Sequence, residues 1–149
     1  MILKGKTIDF TFNRTIPASP SEVFDVWLDP ECPGNPWHKM DRLIFNPTVD
    51  GLFYRMHVTD RQEMPHYGRF TILDRPRKIQ HTWMSRHTHG LESVVTLTFE
   101  AQGEDTLLTL HHANIPDDEL GRMHERGWKH YLGLLVDRFQ RMHRERARH

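Results

Sequence analysis

Only one cysteine, Cys32, occurs among the 149 residues, so no internal disulfide can form and stability has to come from a packed core. No apolar run approaches the ~20 residues that a membrane-spanning helix requires; the longest, around Leu134-Leu135-Val136, meets charge at Asp137. The opening residues, Met1-Ile2-Leu3-Lys4-Gly5-Lys6, lack the apolar stretch of a secretion signal, and a cytoplasmic location is expected. Charge of one sign is not in excess. The 20 basic and 20 acidic side chains give a formal net charge of zero, which removes the electrostatic footprint of a protein that binds nucleic acid or an anionic membrane. The basic stretch from Arg138 to His149 does not alter this, because it carries no aromatic residue past Phe139 and its charges suit a solvated helix end. Internal repeats, linkers and low-complexity segments are missing as well. These absences leave one domain over residues 1–149, of a size that buries about two-thirds of its unfolded surface.

What the chain does contain is alternation. Residues 7 to 15 set Ile8, Phe10 and Phe12 against Thr7, Asp9 and Thr11, the period-two pattern of a half-buried strand. Ser19-Pro20-Ser21-Glu22 then combines a capping serine, a proline suited to the first helical position and a glutamate placed for a capping box. A short helix is predicted there, with Val23, Phe24 and Trp27 as its apolar face and Asp29-Pro30 as its end. Glu31 to Asp41, broken by Pro33, Gly34 and Pro36, reads as a broken helix or structured loop carrying Trp37 and His38. Six further strands are predicted, roughly over 42 to 47, 52 to 58, 66 to 74, 78 to 84, 93 to 100 and 106 to 112. Tight connections at Asp50-Gly51, Asp74-Arg75-Pro76 and Gly103-Glu104-Asp105 suit antiparallel neighbours, so the sheet is a meander.

One face of such a sheet needs a cover. Residues 117 to about 142 supply a long helix, with Asp117, Asp118 and Glu119 at its N-terminus and Arg138, Arg141 and Arg144 near its far end. Trp128, Leu132, Leu135, Phe139 and Met142 recur at helical spacing, and Leu120, His124 and Tyr131 extend the stripe at its leading end. At ~1.5 Å per residue the helix spans about 39 Å, enough to cross the sheet. A straight helix on a twisted sheet leaves space where the two diverge. The leading half, with Gly121 and Gly127 beside His124 and Trp128, is poorly suited to a tight core, which places a cavity there. The competing use of those glycines is close approach of helix to sheet.

Several strings in this order resemble the SRPBCC superfamily, in the branch similar to activators of the heat-shock protein 90 ATPase. They are Ile16-Pro17-Ala18-Ser19-Pro20 with Val23-Phe24 and Trp27, Tyr67-Gly68-Arg69-Phe70, the strand ending Thr82-Trp83, Ser93 to Glu100, Thr106 to Leu110, and Gly127-Trp128. The resemblance covers nearly the whole chain. It implies an α+β helix-grip fold, START-like or birch-pollen-allergen-like: a curved antiparallel sheet of about seven strands over one long C-terminal helix, with short helices after strand one. Relatives of this kind bind lipids, polyketides, hormones or other apolar compounds in the cavity and sometimes act on them as cyclases. Many members of the branch are this domain alone, and the same is expected here.

Candidate chemistry centres on the twelve histidines. Ile79, His81 and Trp83 share a strand face, and the family pattern has a bulky apolar group where His81 stands. His112 shares a face with Leu108 and Leu110, and His124 heads the helix stripe. Three converging imidazoles can act as a general base near neutral pH, or each can be satisfied singly at the edge of the core. His87 and His89 project the same way from an extended segment, but Ser85 to Glu92 reads as a mobile loop, and no tight ligand motif supports a metal. No metal and no cofactor is expected. Trp37, Tyr54, Tyr67, Trp83, Trp128 and Tyr131 are candidates to line a pocket for a ring-bearing ligand, with simple core packing as the alternative. Arg55 and Arg69 lie within strands, and either anchors an anionic group if its fork points inward; alternation does not choose their faces, and Arg69 is carried as the candidate.

Three functions fit these residues. The first is binding of a small hydrophobic or aromatic molecule in the cavity by a monomer or homodimer. The second is a cyclase- or hydrolase-like enzyme with His81, His112 or His124 as base. The third is a chaperone-linked interaction module.

Overall fold

A computed structural model describes residues 5–148. Residues 1–4, read above for a secretion signal, and His149, the end of the basic stretch, lie outside the described residues. Seven strands form one antiparallel sheet: β1 (Thr7–Ile16), β2 (Arg42–Phe45), β3 (Leu52–Thr59), β4 (Gln62–Asp74), β5 (Lys78–Ser85), β6 (Ser93–Gln102) and β7 (Asp105–Pro116). Their order is β1-β7-β6-β5-β4-β3-β2, a meander from β2 to β7 with β1 added beside β7. Two α-helices accompany the sheet among the described residues, α1 (Pro20–Trp27) and α2 (Glu119–Ala147).

Each helix begins where its cap dictates. The Ser19 hydroxyl accepts from the Glu22 N–H at 3.3 Å, with Pro20 in the first turn. Asp118 caps α2 by accepting from the Gly121 N–H at 2.7 Å, while Asp117 holds Arg122 at 2.7 Å. Among the described residues a single helix, α1, lies between β1 and β2. Residues 31–41, read as a broken helix or structured loop, are the loop: they form turns around the buried Asn35, whose amide donates to the carbonyls of Val26 at 2.7 Å and Asp29 at 2.9 Å. Pro33, Gly34 and Pro36 deny this segment a helical ladder, and Asn35 supplies the missing partners. The supposed mobile loop after β5 is likewise ordered. Arg86–Thr88 form a 3-10 turn in which the Ser85 hydroxyl accepts from the His87 N–H, and the Thr88 hydroxyl accepts from the Ser85 N–H.

The inner face of the sheet carries Ile79, Val95, Leu97, Phe99, Leu108 and Leu110, all buried against the helices. Phe24 of α1 meets Phe99 edge-on, and Leu132, Leu135 and Phe139 of α2 close the core. The helix packs chiefly on β1, β7 and the 3-10 turn. Under its leading half the sheet continues as β3 and β4, and the space between these strands and α2 is not filled by side chains.

Candidate functional site

The unfilled space is a cavity of about 520 Å³. Its floor is Arg55, His57 and Thr59 of β3, Met64 and His66 of β4, and Trp83 of β5. His124, Gly127, Trp128 and Tyr131 of α2 form the roof, His87 of the 3-10 turn closes one side, and the exposed Met123, Arg126 and His130 frame the mouth. An adjoining space of about 410 Å³ shares His57, Thr59, His130 and Tyr131 and extends under the 34–40 segment. Odd-numbered residues of β3 face inward because Phe53 and Arg55 lie in the interior, whereas Tyr54 opposes Tyr67 on the outer face.

The glycine question resolves differently at its two positions. A Cβ on Gly121 would lie 1.8 Å from the Pro116 carbonyl oxygen, so Gly121 permits close approach. A Cβ on Gly127 would meet nothing within 4 Å, and this glycine helps to leave the cavity open.

Of the ten residues expected to bind a ligand, four line the cavity: Trp83, His124, Trp128 and Tyr131. Six lie elsewhere. Trp37 is fully buried in the core, packed on Phe45 and Phe53 with its indole N–H donating to the Trp27 carbonyl at 3.0 Å. Tyr54, Tyr67 and Arg69 are on the outer face of the sheet, where Arg69 approaches Asp50. His81 and His112 face inward as expected but stop short of the cavity, because the opening lies farther along the sheet, over β3 and β4.

The three candidate bases therefore separate. His81 is enclosed by Phe53, Phe70 and Trp83; its Nδ1–H donates to the Thr82 carbonyl at 2.9 Å, and its Nε2 is buried without a partner. Burial pushes it down to about 4. His112 has both nitrogens committed. Trp128 Nε1–H donates to its Nδ1 at 2.8 Å, which places the proton on Nε2 and directs it to Ser93 Oγ at 2.7 Å; Ser93 in turn donates to the Trp83 carbonyl at 2.5 Å. Burial, with His124 nearby, holds His112 neutral well below the usual histidine range. It fastens α2 to the sheet and has no lone pair left for a substrate. His124 is the one that reaches the cavity. Its Nδ1–H returns to the Gly121 carbonyl at 2.8 Å, leaving an unpartnered Nε2 lone pair on the opposite side of the ring.

Arg55, weighed from the sequence as an anion anchor beside Arg69, and His87, read there only as a pair with His89, meet His57 and His66, which the sequence did not single out, in this wall. Arg55 is 1% exposed. Its Nε donates to the Pro36 carbonyl at 2.6 Å, Nη1 to His66 Nδ1 at 3.0 Å and Nη2 to the Tyr131 hydroxyl at 2.7 Å. The guanidinium also lies 5.4 Å from the Trp83 ring centre and 5.8 Å from that of Tyr131. His66 Nδ1 also lies 3.2 Å from the Met64 carbonyl, and it cannot serve both partners: accepting from Arg55, which has no acceptor to offer, puts the proton on Nε2 and leaves the Met64 carbonyl without that donor. Burial and the adjacent Arg55 charge push His66 down to about 2. His87 and His89 are parted by the 3-10 turn: His87 enters the cavity wall, and His89 turns to Asp118 at 2.6 Å. Among the described residues, no three His, Cys, Asp or Glu side chains are placed to hold a metal ion together. No described helix is long and apolar enough to cross a membrane.

An open antiparallel sheet gripping one long helix over an internal cavity defines a helix-grip protein of the SRPBCC type. The chain belongs to the "Activator of Hsp90 ATPase homolog 1-like protein" family, whose model matches residues 17–140. No curated protein matches the sequence. Among solved structures, it is similar to protein CV1439 of Chromobacterium violaceum, with a TM-score of 0.75 at 20% identity, covering 88% of this chain and 96% of that one. Protein Mll3558 of Rhizobium loti gives 0.74 at 18% identity, with 89% and 96% covered. The HSP90 activator PFC0360w of Plasmodium falciparum gives 0.62 at 21% identity, with 80% and 86% covered. At these identities the likeness is one of fold.

Proposed function

We propose that the protein binds a small apolar or aromatic molecule in the cavity between β3–β4 and the leading half of α2. The observation that carries this is the cavity itself: about 520 Å³, inside the range of roughly 300 to 1,000 Å³ typical of small-molecule sites, with Trp83, Trp128, Met64 and Met123 in its wall. A cytoplasmic monomer or homodimer working without a cofactor belongs to the same reading. Native mass spectrometry of freshly purified protein tests it. A retained molecule is expected in the wild type and absent from Gly127→Phe, whose ring would occupy the open space. A Gly127→Phe protein that binds as the wild type does would place the ligand elsewhere.

One observation favours a second reading, a cyclase- or hydrolase-like enzyme: His124 of the cavity roof keeps a buried Nε2 lone pair that no protein group meets among the described residues. Incubating the retained molecule with wild type and His124→Ala and analysing it by mass spectrometry tests this. Product formed only by the wild type supports it, and unaltered ligand in both removes it.

A further inference from the structure

We propose that the occupant of the cavity is an organic anion, an apolar or aromatic carboxylate, whose charge rests against Arg55. This names the ligand class for the binding reading above and depends on it. A guanidinium has five N–H donors. Three of those on Arg55 meet Pro36, His66 and Tyr131, which leaves one N–H on each terminal nitrogen without a protein acceptor among the described residues. All three partners are neutral. Among the described residues, no Asp or Glu comes within the 4.0 Å of an ion pair. Buried arginines are ordinarily paired, because an uncompensated charge in an apolar interior is strongly unfavourable. The rings of Trp83 and Tyr131 offset only part of that penalty.

The rest of the lining points the same way. Acidic and basic residues are equally numerous in the chain, yet no Asp or Glu lines either part of the cavity, while Arg55, Arg126 and Lys39 do. Asp41, the acid whose charge acts on His57, is turned to the Val58 N–H at 2.8 Å and takes no part in the wall. Open donors recur beside Arg55. The Trp83 indole N–H is buried without an acceptor, and His66, in the tautomer that accepts from the guanidinium rather than donating to the Met64 carbonyl, carries its proton on Nε2. A carboxylate offers two oxygens to the two open guanidinium donors, the match that makes arginine its preferred partner. Its apolar body then lies among Trp128, Met64 and Met123.

The test compares two fluorescent probes with the same body, 1-pyrenebutyrate and the neutral 1-pyrenebutyramide, titrated into the full chain. Wild type is expected to bind the carboxylate at least about tenfold more tightly than the amide, the scale of hydrogen bonds to a charged group. Arg55→Met should abolish that preference while still binding the amide, and Arg69→Met, on the outer face, should leave it unchanged. Equal affinity of wild type for both probes overturns the anion assignment and leaves cavity binding standing. Failure of both probes to bind overturns cavity binding and the anion assignment together. The wild-type ratio decides the matter even if Arg55→Met fails to fold. Should that variant fold and keep the preference, Arg55 is not the anchor.

Discussion

Arg55 and Tyr131 are 76 residues apart, and a hydrogen bond of 2.7 Å from Nη2 to the phenol joins β3 to α2 across the cavity. Removing the hydroxyl leaves a buried cationic donor with nothing to meet. Tyr131→Phe is expected to lower stability by about 1 to 3 kcal/mol, read as a shift in the urea midpoint at constant slope. An unchanged midpoint would mean that water replaces the phenol without loss.

The chain Trp128–His112–Ser93 fixes a tautomer. Nitrogen-15 NMR of labelled protein should show His112 neutral with its proton on Nε2, and His124 neutral with its proton on Nδ1. Ser93→Ala and Trp128→Phe should each perturb the His112 signals while leaving His38, near the Pro30 carbonyl, unaffected.

Acid should unfold this protein early. His66, His81 and His112 are all depressed by burial, to about 2, to about 4 and well below the usual range. Below about pH 6.5 the unfolded chain takes up protons that these native imidazoles refuse. The stability they contribute is therefore complete above that pH and is lost as pH falls toward each folded value. At pH 5 the loss is roughly 2 kcal/mol for each of His66 and His81. Urea titrations from pH 7.5 to 4.5 should show a steep decline, and a flat profile would contradict the buried, neutral assignment.

His81→Leu separates structure from chemistry. The substitution removes an unpartnered Nε2 from an aromatic enclosure, at the expense of the bond to the Thr82 carbonyl. Stability at pH 7 should change by no more than about 1 kcal/mol, its decline toward pH 5 should be shallower than in wild type, and probe binding should be retained. Loss of binding would place His81 in the site after all.

Gly121 and Gly127 of α2 should respond in opposite directions. Gly127→Ala adds a helix-favouring methyl in open space and should raise stability by about 1 kcal/mol. Gly121→Ala forces a Cβ against the Pro116 carbonyl and should lower it by about 1 to 3 kcal/mol. Thermal unfolding of both variants measures the difference.

Most of the fold was legible because it follows from short-range rules. Alternation at Val95, Leu97 and Phe99 and at Leu108 and Leu110 marks the inner face, and the 3.6-residue stripe from Trp128 to Phe139 marks the face of α2 that covers it. The site was legible chiefly from the helix side, with Trp83 the strand residue expected there. The cavity lies under the His124 to Tyr131 half, and its opposite wall is β3 and β4 with Trp83 of β5, while His81 and His112 stand outside it.

By itself, then, the sequence determined the number and order of the strands, the place of the long helix, the helix caps, and the faces of those strands exposed on one side. Tertiary structure decided which inward-facing groups meet empty space and which meet packing. On β3, Phe53 and Arg55 are buried inward while Met56, on the other side, is buried too, so alternation there carries no sign of direction. On β5, β6 and β7, His81, Val95 and His112 stand in one register row, but aromatic rings enclose the first and Trp128 occupies the last. That distinction depends on where the sheet diverges from a straight helix, a consequence of twist summed over seven strands that no local pattern records.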